Sequence, residues 1–75
     1  MDIKNEKYIY DTFSKTLSLL YGMYVTDNKS IILLKSMREL LIILDDIRIN
    51  YGYKSIELLI NRYTEIVYKE YKERR

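Results

Sequence analysis

The side chains of this sequence that can do chemistry are hydroxyls, amines and carboxylates, because the 75 residues include neither His nor Cys. A catalytic nucleophile would have to be a Ser, Thr, Tyr or Lys with an Asp or Glu placed to activate it, and no stretch of the chain arranges such a pair. Asp45 and Asp46 diverge by about 100° on a helix. Glu39 and Asp46 share one side of a helix but offer only two carboxylates, a weak magnesium-like site. We therefore expect no enzyme activity, no bound metal and no cofactor.

Binding motifs for phosphates and nucleic acids are also sparse. Gly22 and Gly52 stand alone, so the chain has no glycine-rich phosphate loop. A net charge of +2 is far from the basic footprint of a nucleic-acid binder, so the charge by itself does not indicate such a partner. The nearest approach to a groove for single-stranded nucleic acid is one aromatic and three basic residues, interrupted by Glu65: Tyr68, Arg62, Lys69 and Lys72.

Apolar residues recur at the 3.6-residue spacing of a helix in three segments. We predict helices over residues 3–24, 29–50 and 55–74, which form one domain spanning 1–75. The fold class is all-α, either a three-helix antiparallel bundle or a helical hairpin with an additional N-terminal helix. The apolar stripes of the first and third segments are Ile9, Phe13, Leu17, Leu20 and Tyr24, and Ile56, Leu59, Ile60, Tyr63, Ile66, Val67 and Tyr71.

The joints between these segments carry turn and capping residues. Residues 25–29 include side chains that favour turns, and Gly52 can adopt the left-handed conformation that ends a helix. Asp2 or Asn5 can cap the first helix, and Ser55 can cap the third. The connections are therefore short, which favours antiparallel neighbours.

The small size of the chain favours self-association. A chain of this length buries only about 60% of the surface that its unfolded form exposes. With neither Cys nor His, it has no disulfide or metal staple to compensate. Pairing two copies is the remaining way to bury more apolar surface, so we expect a homodimer.

The second segment is the most apolar part of the chain, with twelve Ile, Leu and Met residues among the 21 positions from 30 to 50. Lys35, Arg38 and Glu39 interrupt this run near its middle, so we do not expect it to span a membrane. Placing its residues at 100° steps predicts that one broad arc faces the other two helices. The arc consists of Leu33, Leu34, Met37, Leu40, Leu41, Leu44 and Ile47.

Three isoleucines of the same segment point away from that arc. Ile31, Ile42 and Ile49 fall within roughly 20° of one another on a helix, with charged residues of both signs beside them. Such a composition is typical of a contact surface that can pair with itself across a two-fold axis, although single exposed isoleucines are also ordinary surface residues. We predict a partner interface formed by Ile31, Lys35, Arg38, Ile42, Asp45 and Ile49.

The tetrapeptide SMRE at residues 36–39 allows a second interpretation of this segment. It has the S-x-x-E form of a capping box, which starts a helix, and SIILLK before it would then be a strand. A strand at 30–35 followed by helices at 37–50 and 55–73 resembles the ribbon-helix-helix family of dimeric DNA-binding regulators. The stretch YGYKSIELLINRYTEIVYKEY is similar to the second helix of that family.

This resemblance covers residues 30–75 and implies that paired strands enter the major groove and read bases through alternate residues. The outward set would be Ile31, Leu33 and Lys35, or Ser30, Ile32 and Leu34 after a one-residue slip. Either set is mostly apolar, whereas base edges are distinguished mainly by hydrogen-bond donors and acceptors. The nucleic-acid contacts in this alternative are Lys35, Arg62, Lys69 and Lys72.

Two functions are consistent with these patterns. The first is a small non-enzymatic adaptor or regulator that forms a homodimer and binds a further protein. The alternative is a small dimeric DNA-binding regulator. The N-terminal MDIKNEKYIYDTFSK alternates charged and apolar residues without the apolar run of a signal peptide, so we expect a cytoplasmic protein.

Overall fold

The computed structural model describes residues 5–74, which form three α-helices packed against one another. Helix α1 spans Glu6–Thr26, α2 spans Ile31–Tyr51 and α3 spans Lys54–Glu73. No strand occurs within residues 5–74, which confirms the all-α prediction for this range. The bounds of α2 and α3 lie within two residues of those predicted.

Helix α1 begins after Asn5 because the side chain of that residue satisfies a backbone donor of the first turn. The Oδ1 atom of Asn5 accepts a hydrogen bond from the Tyr8 amide at 3.1 Å, as expected for a short polar side chain at a helix start. Asp2, the other predicted cap, lies outside the described residues. At its other end α1 continues to Thr26, whose hydroxyl donates to the carbonyl of Gly22 at 3.0 Å.

The turn between α1 and α2 contains two residues in the left-handed conformation. Asn28 and Lys29 have φ angles of 56° and 54°, and Asn adopts this region more readily than most residues. The amide of Lys29 donates to the carbonyl of Tyr24 at 2.9 Å, which satisfies one of the last acceptors of α1. The predicted turn is therefore confirmed.

The joint between α2 and α3 is confirmed at Gly52 and corrected at Ser55. Gly52 has a φ angle of 68°, and its amide donates to the carbonyl of Arg48 at 2.7 Å. The prediction that Ser55 caps α3 is wrong, because α3 begins at Lys54 and Ser55 lies inside its first turn. The amide and hydroxyl of Ser55 instead donate to Glu6 on α1.

The interpretation of residues 30–35 as a strand is also wrong. Helix α2 begins at Ile31, and Ser36 lies within it, where its hydroxyl donates to the carbonyl of Ile32 at 3.0 Å. A helix through this segment buries Leu34 in the core beside Met37. A local capping box at Ser36 cannot provide this burial. The part of the chain that would form the ribbon of a ribbon-helix-helix fold is therefore helical.

One side of each helix contributes to a single core. α1 and α3 begin at the same end of the bundle, because Glu6 bonds to Ser55 and Tyr24 bonds to Glu70, and α2 runs in the opposite direction. The predicted arc of α2 is confirmed, since all of its members are buried or half-buried. The buried residues are Leu17, Tyr24, Leu34, Met37, Leu41, Leu44, Ile56, Leu59, Tyr63 and Val67.

Candidate functional site

The side of α2 opposite the core carries the residues predicted to form an interface, and we refer to it as the outer face of α2. Its three isoleucines are exposed to increasing extents, with Ile31 at 36%, Ile42 at 51% and Ile49 at 66%. Lys35 and Arg38 are exposed beside them, and Asp45 is half-exposed. α2 is 21 residues long, so at a rise of about 1.5 Å per residue this face extends for about 30 Å.

The charges on this outer face are unevenly distributed along the helix. Lys35, Arg38 and Glu39 are exposed in its N-terminal half, whereas Asp45 and Asp46 lie in its C-terminal half. Arg48 forms an ion pair with Asp45, in which Nη2 and Nε lie 2.9 and 3.1 Å from the same carboxylate oxygen. This pair joins residues three apart on one helix, an arrangement that holds the Asp45 side chain in place.

A shallow hollow on the outer face lies over the C-terminal half of α2. Its walls are three isoleucines and two carboxylates: Ile42, Ile43, Asp45, Asp46 and Ile49. Ile43 is 49% exposed, and the sequence prediction did not include it. The signal that could have identified Ile43 is its angular position. It lies about 100° around the helix from Ile42, between the predicted strip and the polar residues.

A groove between α2 and α3 continues the outer face on one flank. Three predicted interface residues line it, namely Arg38, Ile42 and Asp45. The remaining wall consists of Leu41 with the α3 residues Ile60, Thr64, Val67, Tyr68 and Tyr71. Sequence reasoning missed the α3 side because the spacing within one helix does not indicate which neighbouring helix lies beside it.

At one end of the bundle, a buried tyrosine connects α1 to α3. The Tyr24 hydroxyl donates to a carboxylate oxygen of Glu70 at 2.9 Å, and the Lys29 ammonium lies 3.8 Å from the same oxygen. Burial raises the pKa of the Tyr24 hydroxyl above its ordinary value, and the bond to Glu70 raises it further. Arg74 donates to the carbonyl of Lys29 and lies over the Tyr24 ring, so these contacts join α1 and the turn after it to the C-terminal end of α3.

At the other end, a carboxylate of α1 occupies the N-terminus of α3. Glu6 Oε2 accepts from the Ser55 amide at 3.0 Å and from its hydroxyl at 2.5 Å. A negative charge at a helix N-terminus is favourable because unpaired amides and the helix dipole both point at it. The hydrogen bond from the Ser55 hydroxyl lowers the pKa of the Glu6 carboxyl below its ordinary value, and the bond from the amide lowers it further.

The residues suggested as nucleic-acid contacts lie on two helices. Arg62, Lys69 and Lys72 are exposed on α3, and Lys35 is exposed on α2. The Lys72 ammonium lies 5.6 Å from the centre of the Tyr68 ring. Glu65 is exposed on the same side of α3 as Arg62 and Lys69 when residues are placed at 100° steps, so this surface carries both signs of charge.

Two further properties concern the described residues as a whole. Within residues 5–74, no three His, Cys, Asp or Glu side chains are grouped so that they could hold a metal ion. In the same range, no helix has both the length and the apolar character that crossing a membrane requires.

The chain was compared with protein-family models, with curated protein sequences and with solved structures, and none of them matches it.

Proposed function

We propose that this chain is a non-enzymatic helical module that acts through protein-protein contacts, with the outer face of α2 as its contact surface. The observation that carries the proposal is the exposure of Ile31, Ile42 and Ile49 in a row, with charged residues of both signs around them. Apolar surface edged by polar residues is characteristic of sites where proteins associate.

The packing of the bundle supports this assignment. The inner arc of α2 already supplies the core, because Leu34, Met37 and Leu44 have no exposed surface. The isoleucines of the outer face therefore add little to the stability of a single copy. Burying them against a partner would recover the free energy of removing apolar surface from water, roughly 25 cal/mol per Å² before the costs of association.

We propose a homodimer as the form in which this surface is used. The chain is small and has no disulfide, so a second copy is the simplest source of additional buried surface. A cytoplasmic location is part of the same proposal. The alternative of a DNA-binding regulator has less support, since the segment that would read bases as a strand is the first turn of α2.

The test is to replace Ile42 and Ile49 together with Lys and to measure the mass of the purified protein by sedimentation. Both side chains are about half or more exposed, so circular dichroism should retain the helical signal while the sedimenting species changes from dimer to monomer. The reason is that two ammonium groups would have to lose their water at the contact.

A matched control replaces two exposed leucines outside α2, Leu19 on α1 and Leu58 on α3, with Lys. These residues are 66% and 69% exposed, so the control removes similar apolar surface and adds the same charge elsewhere. It should leave the dimer intact. A dimer that survives the Ile42 and Ile49 changes would show that the contact lies elsewhere, and a monomeric unmodified chain would refute the homodimer.

A further inference from the structure

We infer that the partner on the outer face of α2 is the α2 helix of a second copy, running antiparallel to the first with the two-fold axis near residue 41. This inference rests on the proposed function, because it specifies the partner and its orientation at the same surface. It is carried by the distribution of charge along α2 and around its two flanks.

The hollow on the outer face has the chemistry to receive the other half of the same helix. Isoleucine side chains and the carboxylates of Asp45 and Asp46 line it. A complementary occupant would combine apolar stems with cationic ends, and the N-terminal half of α2 presents this combination in Lys35 and Arg38, which are both exposed. With the exposed Glu39, these residues give that half two cations against one carboxylate, a net positive charge. Two copies therefore complement each other when each N-terminal half lies on the C-terminal half of its partner.

The positions of these charges around the helix agree with this arrangement. Arg38 and Asp45 lie on the flank towards α3, where both line the same groove. At 100° per residue, Lys35 and Asp46 lie on the opposite flank of the isoleucine strip. In an antiparallel pair related by a two-fold axis, the same flank of each helix meets its copy. Arg38 then faces Asp45 of the partner subunit, and Lys35 faces Asp46 of the partner subunit.

All the matched pairs give nearly the same register. The apolar matches are Ile42 with its own copy and Ile31 with Ile49 of the partner subunit. The charged matches are the two described above. The midpoints of these four pairs along the sequence lie between residues 40 and 42, so a single two-fold axis satisfies all of them.

A parallel pair has less charge complementarity. In a parallel arrangement, opposite flanks meet at the same height, so Arg38 of each copy would lie close to Glu39 of the partner subunit, whereas Asp45 would lie close to Asp46 of the partner subunit. The repulsion of the second pair offsets the attraction of the first, and the dipoles of the two helices would also be aligned unfavourably. The antiparallel arrangement instead places Asp45 between Arg48 of its own chain and Arg38 of the partner subunit.

Single cysteines can distinguish the two orientations, because the natural sequence contains no Cys. At usual helix separations, the Cα atoms of the two Ile42 residues would be roughly 5 Å apart in the antiparallel pair, which is within disulfide range. The two Ile49 residues would be separated by roughly 24 Å along the helix axes, too far for a disulfide.

We therefore expect Ile42→Cys to form a disulfide-linked dimer under mild oxidation, whereas Ile49→Cys and Ile31→Cys alone should not. An equal mixture of Ile31→Cys and Ile49→Cys should form the linked heterodimer. Leu19→Cys on α1, which is similarly exposed, measures linkage from random collisions. Each sample is read on a non-reducing gel after its dimer content has been measured by sedimentation.

A charge exchange provides an independent measurement with folded protein. Among the described residues, neither Lys35 nor Asp46 takes part in an ion pair within the chain. Lys35→Glu alone and Asp46→Lys alone should each raise the dimer dissociation constant by roughly 3- to 30-fold, since each change affects two symmetric pairs. The chain that carries both changes restores opposite charges at each pair and should dimerise nearly as well as the unmodified chain.

The outcomes separate this inference from the proposed function. An unmodified chain that sediments as a monomer would refute both the homodimer and this arrangement. A dimer in which Ile49→Cys links to its own copy would overturn the antiparallel orientation while leaving the contact surface in place. A dimer in which none of the three α2 cysteines links above the Leu19→Cys level would overturn both the register and the assignment of this face.

Discussion

The inner and outer faces of α2 carry the same kinds of side chain in opposite environments. On the inner face, Leu34, Met37 and Leu44 are completely buried against α1 and α3, whereas on the outer face Ile42 and Ile49 are half or more exposed. The difference shows that apolar composition alone does not determine burial within one copy. What decides it is the angular position of each residue relative to the two neighbouring helices.

The largest expected effect comes from truncating Leu44 on the inner face, and the same truncation of Ile42 on the outer face is the comparison. Leu44→Ala should lower the free energy of unfolding by roughly 2 to 5 kcal/mol, because it removes buried methyl groups and leaves a cavity. For a domain of this size that is a large part of a total of roughly 4 to 11 kcal/mol. Ile42→Ala should change the stability of the monomer by no more than about 0.5 kcal/mol. Urea unfolding of both variants at low protein concentration measures the difference.

The same pair of variants also tests where the outer face is buried. Dimerisation stabilises a protein in proportion to the logarithm of concentration over the dissociation constant. The cost of Ile42→Ala should therefore increase as the protein concentration is raised, whereas the cost of Leu44→Ala should change little. Equal and concentration-independent losses in the two variants would contradict the distinction between the faces.

A smaller effect is expected from the polar contact that fixes the inner packing at one end of the bundle. Tyr24→Phe removes the hydroxyl that donates to Glu70 while retaining the buried ring. Hydrogen bonds to charged groups contribute roughly 1.5 to 3 kcal/mol, and we expect a loss of unfolding free energy in this range by thermal or urea denaturation. Tyr8→Phe, at a position 64% exposed, is the control and should be nearly neutral.

The smallest effect is expected at Glu6, and it should depend on pH. The folded protein holds the pKa of this carboxyl below its ordinary value, so the unfolded chain binds a proton more readily. The stabilisation is therefore complete above the ordinary carboxyl pKa and is lost as the pH falls through the lowered value. Glu6→Gln should be less stable than the unmodified protein at neutral pH, with the difference disappearing in acid.

Ser55→Ala tests the origin of this effect, because it removes the hydroxyl bond to Glu6 and leaves the amide bond. The two substitutions should be less than additive, since they disrupt the same contact. Additive losses, or a Glu6→Gln variant whose deficit remains constant in acid, would show that Glu6 does not act through α3.

The sequence by itself determined the three helices and the side of each that faces the core. The spacing of the apolar residues is a local property, and a helix converts it directly into an apolar stripe. For the same reason, Gly52 and the turn near Asn28 were identified correctly, because a left-handed backbone restricts the residue types that can occupy it. The exposure of Ile42 and Ile49 also followed from their angular position on α2.

Only the tertiary structure decided the features that depend on two segments far apart in the chain. Local capping at Ser36 and a continuous helix from Ile31 are both reasonable from the sequence, and the burial of Leu34 beside Met37 favours the continuous helix. The bond from Ser55 to Glu6 and the α3 side of the groove beside Ile42 have the same origin. They require the relative placement of whole helices, which is set by the summed packing of their side chains and not by the spacing within any one segment.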